Sequence, residues 1–318
     1  MWRRPAVASE ALYWARDIYK RRYDIAFDLQ GLARSGLATW LTRAKRRVGY
    51  ANAREGAWLG YNRRHRVDAR LHTVERMLGL LEAEGYRPIR DMRLYSGAAD
   101  RAWLNGELAK PAGDAAGWGA RFVCLAPTAQ WRCKCWPIEN YVEITRRLLS
   151  EKPEIGGVIV LAAAHEQREV QPLASAFAGD RRVWIPRTTI GQMMAIIEQA
   201  RIVVCNDSAA LHMAVGFGRP AVAIFGPTDP AAVGPYRRSG DVIRPVEAAE
   251  DGRSYRRHRE DQTMIAKVAV ETVWRAVVER LASTPRSPST GGTGEACGGG
   301  KITPAGLNIA RGEANVRE

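Results

Sequence analysis

The apolar positions of the chain follow two rhythms. From Phe122 onward, short unbroken apolar runs alternate with stretches whose apolar residues recur every three or four positions. Phe122–Ala126, Gly157–Ala162, Val183–Ile185, Arg201–Cys205 and Ala221–Phe225 read as strands. Pro137–Ser150, Glu166–Phe177, Ile190–Gln199 and Ala209–Val215 read as helices, and Met264–Leu281 as a last one. Unbroken apolar strands separated by helices predict a parallel sheet covered on both faces, a Rossmann-like α/β arrangement.

Before residue 113 the pattern is sparser. Leu12–Arg22, Gly31–Thr42 and His72–Glu84 read as helices, Asp24–Leu29 and Arg47–Tyr50 as strands. Two or three strands are fewer than the roughly five of a complete α/β half. A parallel strand such as Ile25–Phe27 ordinarily has a neighbour on each side. An unfilled sheet edge with exposed apolar surface is therefore expected.

Composition narrows the class. With 318 residues, 46% of them hydrophobic, the chain can bury a substantial core, and its length favours two domains. The expected division is 1–115, 116–283 and a Gly/Ser/Thr/Pro-rich disordered tail, 284–318. Net charge is 48 − 34 = +14, and residues 1–100 carry 20 Lys/Arg against 11 Asp/Glu, so +9 of it lies there. An acidic partner is expected for that half. The five cysteines are an odd number with no pairing pattern, which predicts reduced thiols and a cytoplasmic setting. No apolar run approaches the roughly 20 residues of a membrane span, and no signal peptide follows Met1. The expectation is a soluble protein that at most touches a membrane surface.

Three strand-to-helix loops carry candidate chemistry. In Cys205-Asn206-Asp207-Ser208-Ala209, a strand ends where a helix begins. The first amides of that helix and its dipole suit an anion, and His212 follows Ser208 by one turn on the same face. In Ala126 to Pro137, Thr128 offers a hydroxyl and Lys134 a cation. In Phe225-Gly226-Pro227-Thr228-Asp229-Pro230, a strand again runs into a polar turn. Each loop alone could be an N-cap, a solvated charge or an ordinary turn. Three on one sheet edge point to a phosphate-bearing ligand.

Other patterns fail. Gly216-Phe217-Gly218-Arg219-Pro220-Ala221 matches a dinucleotide fingerprint but follows a helix and opens a strand, so it reads as a C-cap turn. Gly298-Gly299-Gly300-Lys301 lacks the first glycine and the final Ser/Thr of a P-loop. Cys133-x-Cys135 has no second ligand pair, so no metal is expected. The basic clusters at Arg43–Arg47 and Arg63–Arg66 lack a nucleic-acid motif, and no nucleic-acid partner is expected.

Taken in order, Asp28-Leu29-Gln30-Gly31-Leu32, Arg47-Val48-Gly49-Tyr50, His72-Thr73-Val74-Glu75-Arg76, Lys134-x-Trp136-Pro137, Asn206-Asp207-Ser208 with His212, and Phe225-Gly226-Pro227-Thr228-Asp229-Pro230 resemble glycosyltransferase family nine, the ADP-heptose:lipopolysaccharide heptosyltransferases. The resemblance spans about Tyr23 to Leu281. It implies a GT-B-like fold, two Rossmann-like domains facing a cleft, the N-terminal one incomplete. It implies inverting transfer of a sugar, heptose by analogy, from an ADP-sugar to an anionic lipopolysaccharide-core-like glycolipid at the inner face of the cytoplasmic membrane, with no cofactor. By the same resemblance Thr128, Lys134, Glu166, Asp207, Ser208, Ala209 and His212 would line the donor, Glu166 at its ribose. The sequence departs from the family at Ala209 and Thr128, where glycine is usual. The family's opening strand and Gly-Asp loop, source of its presumed base, has no counterpart here, so the catalytic base is unknown. An active enzyme shortened at its start is the expected explanation, and a catalytically dead binding remnant the alternative. Asp28 is expected in a structural turn.

Overall fold

The computed structural model describes residues 5–110, 117–119, 121–245 and 259–283. The expected disordered tail, Cys297 and the Gly298–Lys301 run lie outside the described residues.

The first half builds a small parallel sheet in the order β1 (Ile25–Phe27), β2 (Arg46–Tyr50), β3 (Arg63–His65). Around it run α1 (Pro5–Lys20), α2 (Ala33–Leu41) and α3 (Thr73–Ala83). Its core is slight: Val48, Tyr50 and Leu80, flanked by Ile25, Phe27, Leu29, Ala53 and Val67. Among the described residues β1 pairs on one side only.

The second half opens with α4 (Ala98–Ala109), which the periodicity did not reveal because only Leu104 and Leu108 of its residues are buried. Then follow β4 (Phe122–Ala126), α5 (Ile138–Glu151), β5 (Gly157–Val160), α6 (Gln171–Ala176), β6 (Val183–Trp184), α7 (Ile190–Gln199), β7 (Ile202–Asn206), α8 (Ala209–Gly216), β8 (Ala221–Ile224), α9 (Pro230–Val233), β9 (Val242–Ile243), α10 (Thr263–Ala266) and α11 (Val270–Ser283). All six strands run parallel in the order β6-β5-β4-β7-β8-β9. Renumbered along the chain this is 3-2-1-4-5-6, the doubly wound order, and it reverses between β4 and β7.

The unbroken apolar strands have a direct cause. Val123, Leu125, Ile202 and Val204 point into a core shared with α5 and α11. Their neighbours Phe122, Cys124, Val203 and Cys205 point into the opposite core, with α4, α7 and α8. Both faces are dry, so neither alternate position tolerates a polar residue. Leu104 and Leu108 of α4 belong to that second core. The helix before residue 115 thus packs on the second sheet, and the change of sheet along the chain comes before Ala98.

Two expected helices are shorter or broken. Glu166–Phe177 is helical only over Gln171–Ala176, where Pro172 opens the first turn. Glu166 is held instead in a preceding turn by the Ala163 N–H, at 2.8 Å. Met264–Leu281 divides into α10 and α11, and in the break the Val268 carbonyl accepts the indole N–H of Trp136 at 2.9 Å. Among the described residues no helix is long and apolar enough to cross a membrane.

Candidate functional site

The strand-order reversal fixes where a ligand can enter. Adjacent connections leave β4 and β7 toward opposite faces, which opens a crevice at their carboxyl ends. The β4–α5 loop carries Thr128 and Lys134, and the β7–α8 loop carries Asp207 and Ser208. The sheet register places Ala126 beside Cys205, so the two loops depart side by side.

Asn206 ties them together. Its side chain is fully buried, its amide donates to the Pro127 carbonyl at 2.6 Å, and its oxygen accepts from the Trp136 N–H and the Tyr141 hydroxyl at 3.1 and 3.0 Å. One amide thus serves three groups of the neighbouring loop and helix. The sequence motif marked this residue without revealing that task.

With the loops fixed, the ammonium of Lys134 reaches the Asp207 carboxylate at 2.6 Å. The pair is only 15% and 7% exposed, so it is weakly screened. The ammonium also lies 5.0 Å from the centroid of the Trp131 ring. Ser208, next in sequence, is the N-cap of α8 but makes no capping bond, and its buried Oγ has no hydrogen-bond partner among the described residues. Ala209 is exposed at the first turn. His212 is open to solvent at its surface yet walled by protein. That partial burial lowers its pKa from the ordinary histidine value, Asp207 opposes the shift, and His72 and Lys134 reinforce it. His212 therefore shares one electrostatic neighbourhood with the lysine, the aspartate and a histidine from the first half.

Thr128 and Glu166 form a second pair along the same edge. The threonine hydroxyl donates to the Glu166 carboxylate at 2.9 Å, joining the loops after β4 and β5. Beside them lies a polar hollow of about 340 Å³ whose wall includes Thr128, Gln130, Arg132, Cys135, Glu139, Glu169, Glu260 and Gln262. Burial and the nearby Glu166 raise the Glu169 pKa. Burial pushes the Cys135 thiol up to about 11.

The third loop also meets the site. A methyl group at Gly226 would lie 2.8 Å from the Cys133 carbonyl, so only glycine allows this approach to the β4 loop. Thr228 is 3% exposed, and its hydroxyl is without a partner among the described residues. Asp229 caps α9 through the Ala231 N–H at 2.9 Å.

From the first half, His72 caps α3 with Nδ1, which accepts the Val74 N–H, while Nε2 meets the Gly234 carbonyl at 3.0 Å. Thr73 donates to the Ala232 carbonyl at 3.0 Å. These contacts seat the start of α3 on the end of α9 and the residue that follows it. A hollow of about 460 Å³, lined by Gln30, Gly31, Tyr50, Arg54, Thr73, Arg76 and Val233, lies between the two. Asp28, just before Gln30 and Gly31 of that wall in sequence, is fully engaged. It accepts the Gln30 and Gly31 N–H groups at 2.9 Å each and the Tyr61 hydroxyl at 2.5 Å, which is the structural turn the sequence pointed to.

Comparison with known proteins agrees with this architecture. The chain matches the family model for glycosyltransferase family 9 (heptosyltransferase) over residues 12–262. It is 28% identical to lipopolysaccharide heptosyltransferase 1 of Salmonella typhimurium over 244 residues, 75% of this chain and 72% of that one. Against lipopolysaccharide heptosyltransferase 1 of Escherichia coli K12 it is 28% identical over 247 residues, 76% and 73% of the two chains. The solved structure of E. coli ADP-heptose lps heptosyltransferase II superposes with a TM-score of 0.69 at 19% identity, covering 87% of this chain and 82% of that one. E. coli heptosyltransferase WaaC with ADP gives 0.63 at 22%, covering 88% and 79%. The fold is GT-B-like, and the chain belongs to glycosyltransferase family 9, the heptosyltransferases.

Proposed function

We propose that the chain transfers heptose from an ADP-sugar to a lipopolysaccharide-core-like acceptor, with inversion at the anomeric carbon, at the cytoplasmic face of the membrane. The observation that carries this reading is the Lys134–Asp207 pair set against the Ser208 hydroxyl at the start of α8, which has no partner among the described residues. A diphosphate at the helix end would take the first-turn amides, the Ser208 O–H and a share of the lysine charge. Thr128 and Glu166, one loop away, suit hydroxyls of the donor's ribose or sugar. Residues 116–283, with α4, would form the donor side, and the basic segment before them the acceptor side. Arg54 and Arg76 on the wall of the larger hollow give an anionic acceptor its counter-charges.

In the reaction, an acceptor hydroxyl attacks the anomeric carbon, the bond to the diphosphate breaks, and the electron pair leaves with the phosphate oxygen. Lys134 and the α8 amides stabilise that growing charge without reorganising. The hydroxyl proton passes to a base that we do not assign. Asp28 is spent on three hydrogen bonds. That observation supports the second reading, donor binding without turnover.

Titration calorimetry with ADP tests the site: wild type binds, and Lys134→Ala and His212→Ala weaken it. A well-folded sample that gives no heat with ADP ends both readings. Transfer of heptose to a heptose-free acceptor by this chain would exclude the binding-only one.

A further inference from the structure

The exposed apolar side chains are distributed very unevenly. Among the described residues, fourteen of the fifteen large hydrophobic residues with substantial exposure precede residue 96, and Ile190 is the exception. On one part of the first half they form a patch. Leu37 (58% exposed) and Trp40 (56%) lie on the outer side of α2, and Leu59 (69%) and Trp58 (39%) on the short 3-10 turn Ala57–Gly60 beside it.

These elements are held as one surface. A methyl group on Gly36 would lie 2.5 Å from the Ala57 carbonyl, and one on Gly60 would lie 2.1 Å from the Gly36 carbonyl. The helix and the turn therefore pack backbone to backbone and leave their large side chains outside. An apolar hollow of about 290 Å³ between them is lined by Leu37, Trp40 and Leu59. On the other side of Trp40 a second hollow, of about 400 Å³, is lined by Tyr19, Leu41, Arg43 and Arg47. Arg43 donates to the Tyr19 hydroxyl at 3.0 Å, which joins α1 to the patch, and α1 adds exposed Leu12, Tyr13 and Trp14.

Charge decides what covers this face. Residues 33–64 contain eight Lys/Arg and a single acid, Glu55. Arg34, Arg43, Lys45, Arg63 and Arg64 are exposed, and Arg64 lies over the Trp58 ring at 5.0 Å. Tryptophan and tyrosine among arginines, around an apolar centre, match the headgroup boundary of an anionic bilayer, where rings and cations both find partners. A soluble partner surface acidic enough to pair with these cations would leave the exposed leucines and tryptophans without apolar cover.

We infer that the face formed by α2, the Ala57–Gly60 turn and the end of α1 docks on an anionic lipid bilayer, with Leu37, Trp40 and Leu59 entering the headgroup layer and Arg43 and Arg64 pairing with lipid phosphates. This face is separate from the donor site, and the inference does not rest on the donor reading.

Vesicle co-sedimentation of the full chain tests it, with ADP calorimetry on the same samples as the measure of an intact donor site. The protein sediments with phosphatidylglycerol-containing vesicles and is released by salt, while phosphatidylcholine vesicles leave it in solution. Trp40→Ser with Leu59→Ser lowers the partition coefficient about tenfold. Arg43→Glu with Arg64→Glu, a change of four unit charges, lowers it by several hundredfold, at about fivefold per unit charge. Ile190→Ser, in the second half, leaves it unchanged. Equal binding to neutral vesicles, unchanged partition in either double variant, or an equal loss in Ile190→Ser overturns the inference. So does sedimentation velocity that shows a Trp40-dependent dimer in a protein that ignores vesicles. Because ADP binding is read separately, failure here leaves the donor reading standing, and the reverse holds too.

Discussion

Lys134 and Asp207, seventy-three positions apart in sequence, meet at 2.6 Å where the strand order of the sheet reverses. Both are nearly buried, so each charge relies on the other for solvation. A polyanionic ligand arriving there competes with Asp207 for the lysine and is held by whatever charge the pair leaves unneutralised.

The pair gives a first prediction. Lys134→Met leaves Asp207 buried and unpaired, and stability falls by about 3 kcal/mol. Lys134→Met with Asp207→Asn recovers most of that loss, yet ADP binding stays weakened by tenfold or more, about the worth of a charge-assisted hydrogen bond. Denaturant melts and calorimetry on the four forms of the cycle separate the two effects.

Ser208→Ala behaves in the opposite way. Replacing a capping serine ordinarily costs about 1 kcal/mol. Here the hydroxyl makes no capping bond and is buried without a partner among the described residues. Stability therefore holds or rises slightly while ADP affinity falls by about threefold to tenfold. A clear drop in melting temperature would show that the hydroxyl has a structural partner after all.

Asn206→Ala removes three hydrogen bonds from a fully buried position. Three buried groups, the Pro127 carbonyl, the Trp136 N–H and the Tyr141 hydroxyl, lose this partner at once, and the predicted loss is about 3 kcal/mol or more. Because the β4 loop is then untethered, ADP affinity falls too, although Asn206 itself is not expected to touch the ligand. Asn206→Asp, isosteric but unable to donate to Pro127, falls between the two.

The lowered pKa of His212 sets a pH dependence with two signs. The unfolded chain takes up a proton near pH 6.5, before the folded histidine does. Its contribution to stability is thus present above that pH and is lost as pH falls through the lower folded value. A bound diphosphate favours the protonated ring, so the histidine makes ADP binding tighten as the solution is acidified from pH 7.5 toward 6. The phosphate titrates in the same range, and the comparison with His212→Gln isolates the ring: the variant shows a shallower rise. Equal slopes would remove His212 from the ligand's surroundings.

The sequence marked the second half well because both faces of its sheet are buried. Phe122–Ala126 and Ile190–Gln199 are observed within the bounds their patterns gave. Where local signals compete, the pattern misled. Glu166 continues a helical rhythm, but its carboxylate bonds the nearby Ala163 N–H and the Thr128 hydroxyl, and the helix waits until Gln171. The helix α4 escaped notice because so few of its residues face the core.

By itself the sequence determined the alternation of strand and helix, the excess positive charge of the first half and the three polar loops, since each depends on residues close together in the chain. Only the tertiary structure decided that Lys134 pairs with Asp207, that Thr128 meets Glu166, that Asn206 braces both loops and that Asp28 is consumed in its own turn. The apolar face around Trp40 also appears only there. Such relationships rest on strand order and on which loops depart side by side. Strand order is set by how the whole sheet buries its two faces, and no local run of residues encodes it.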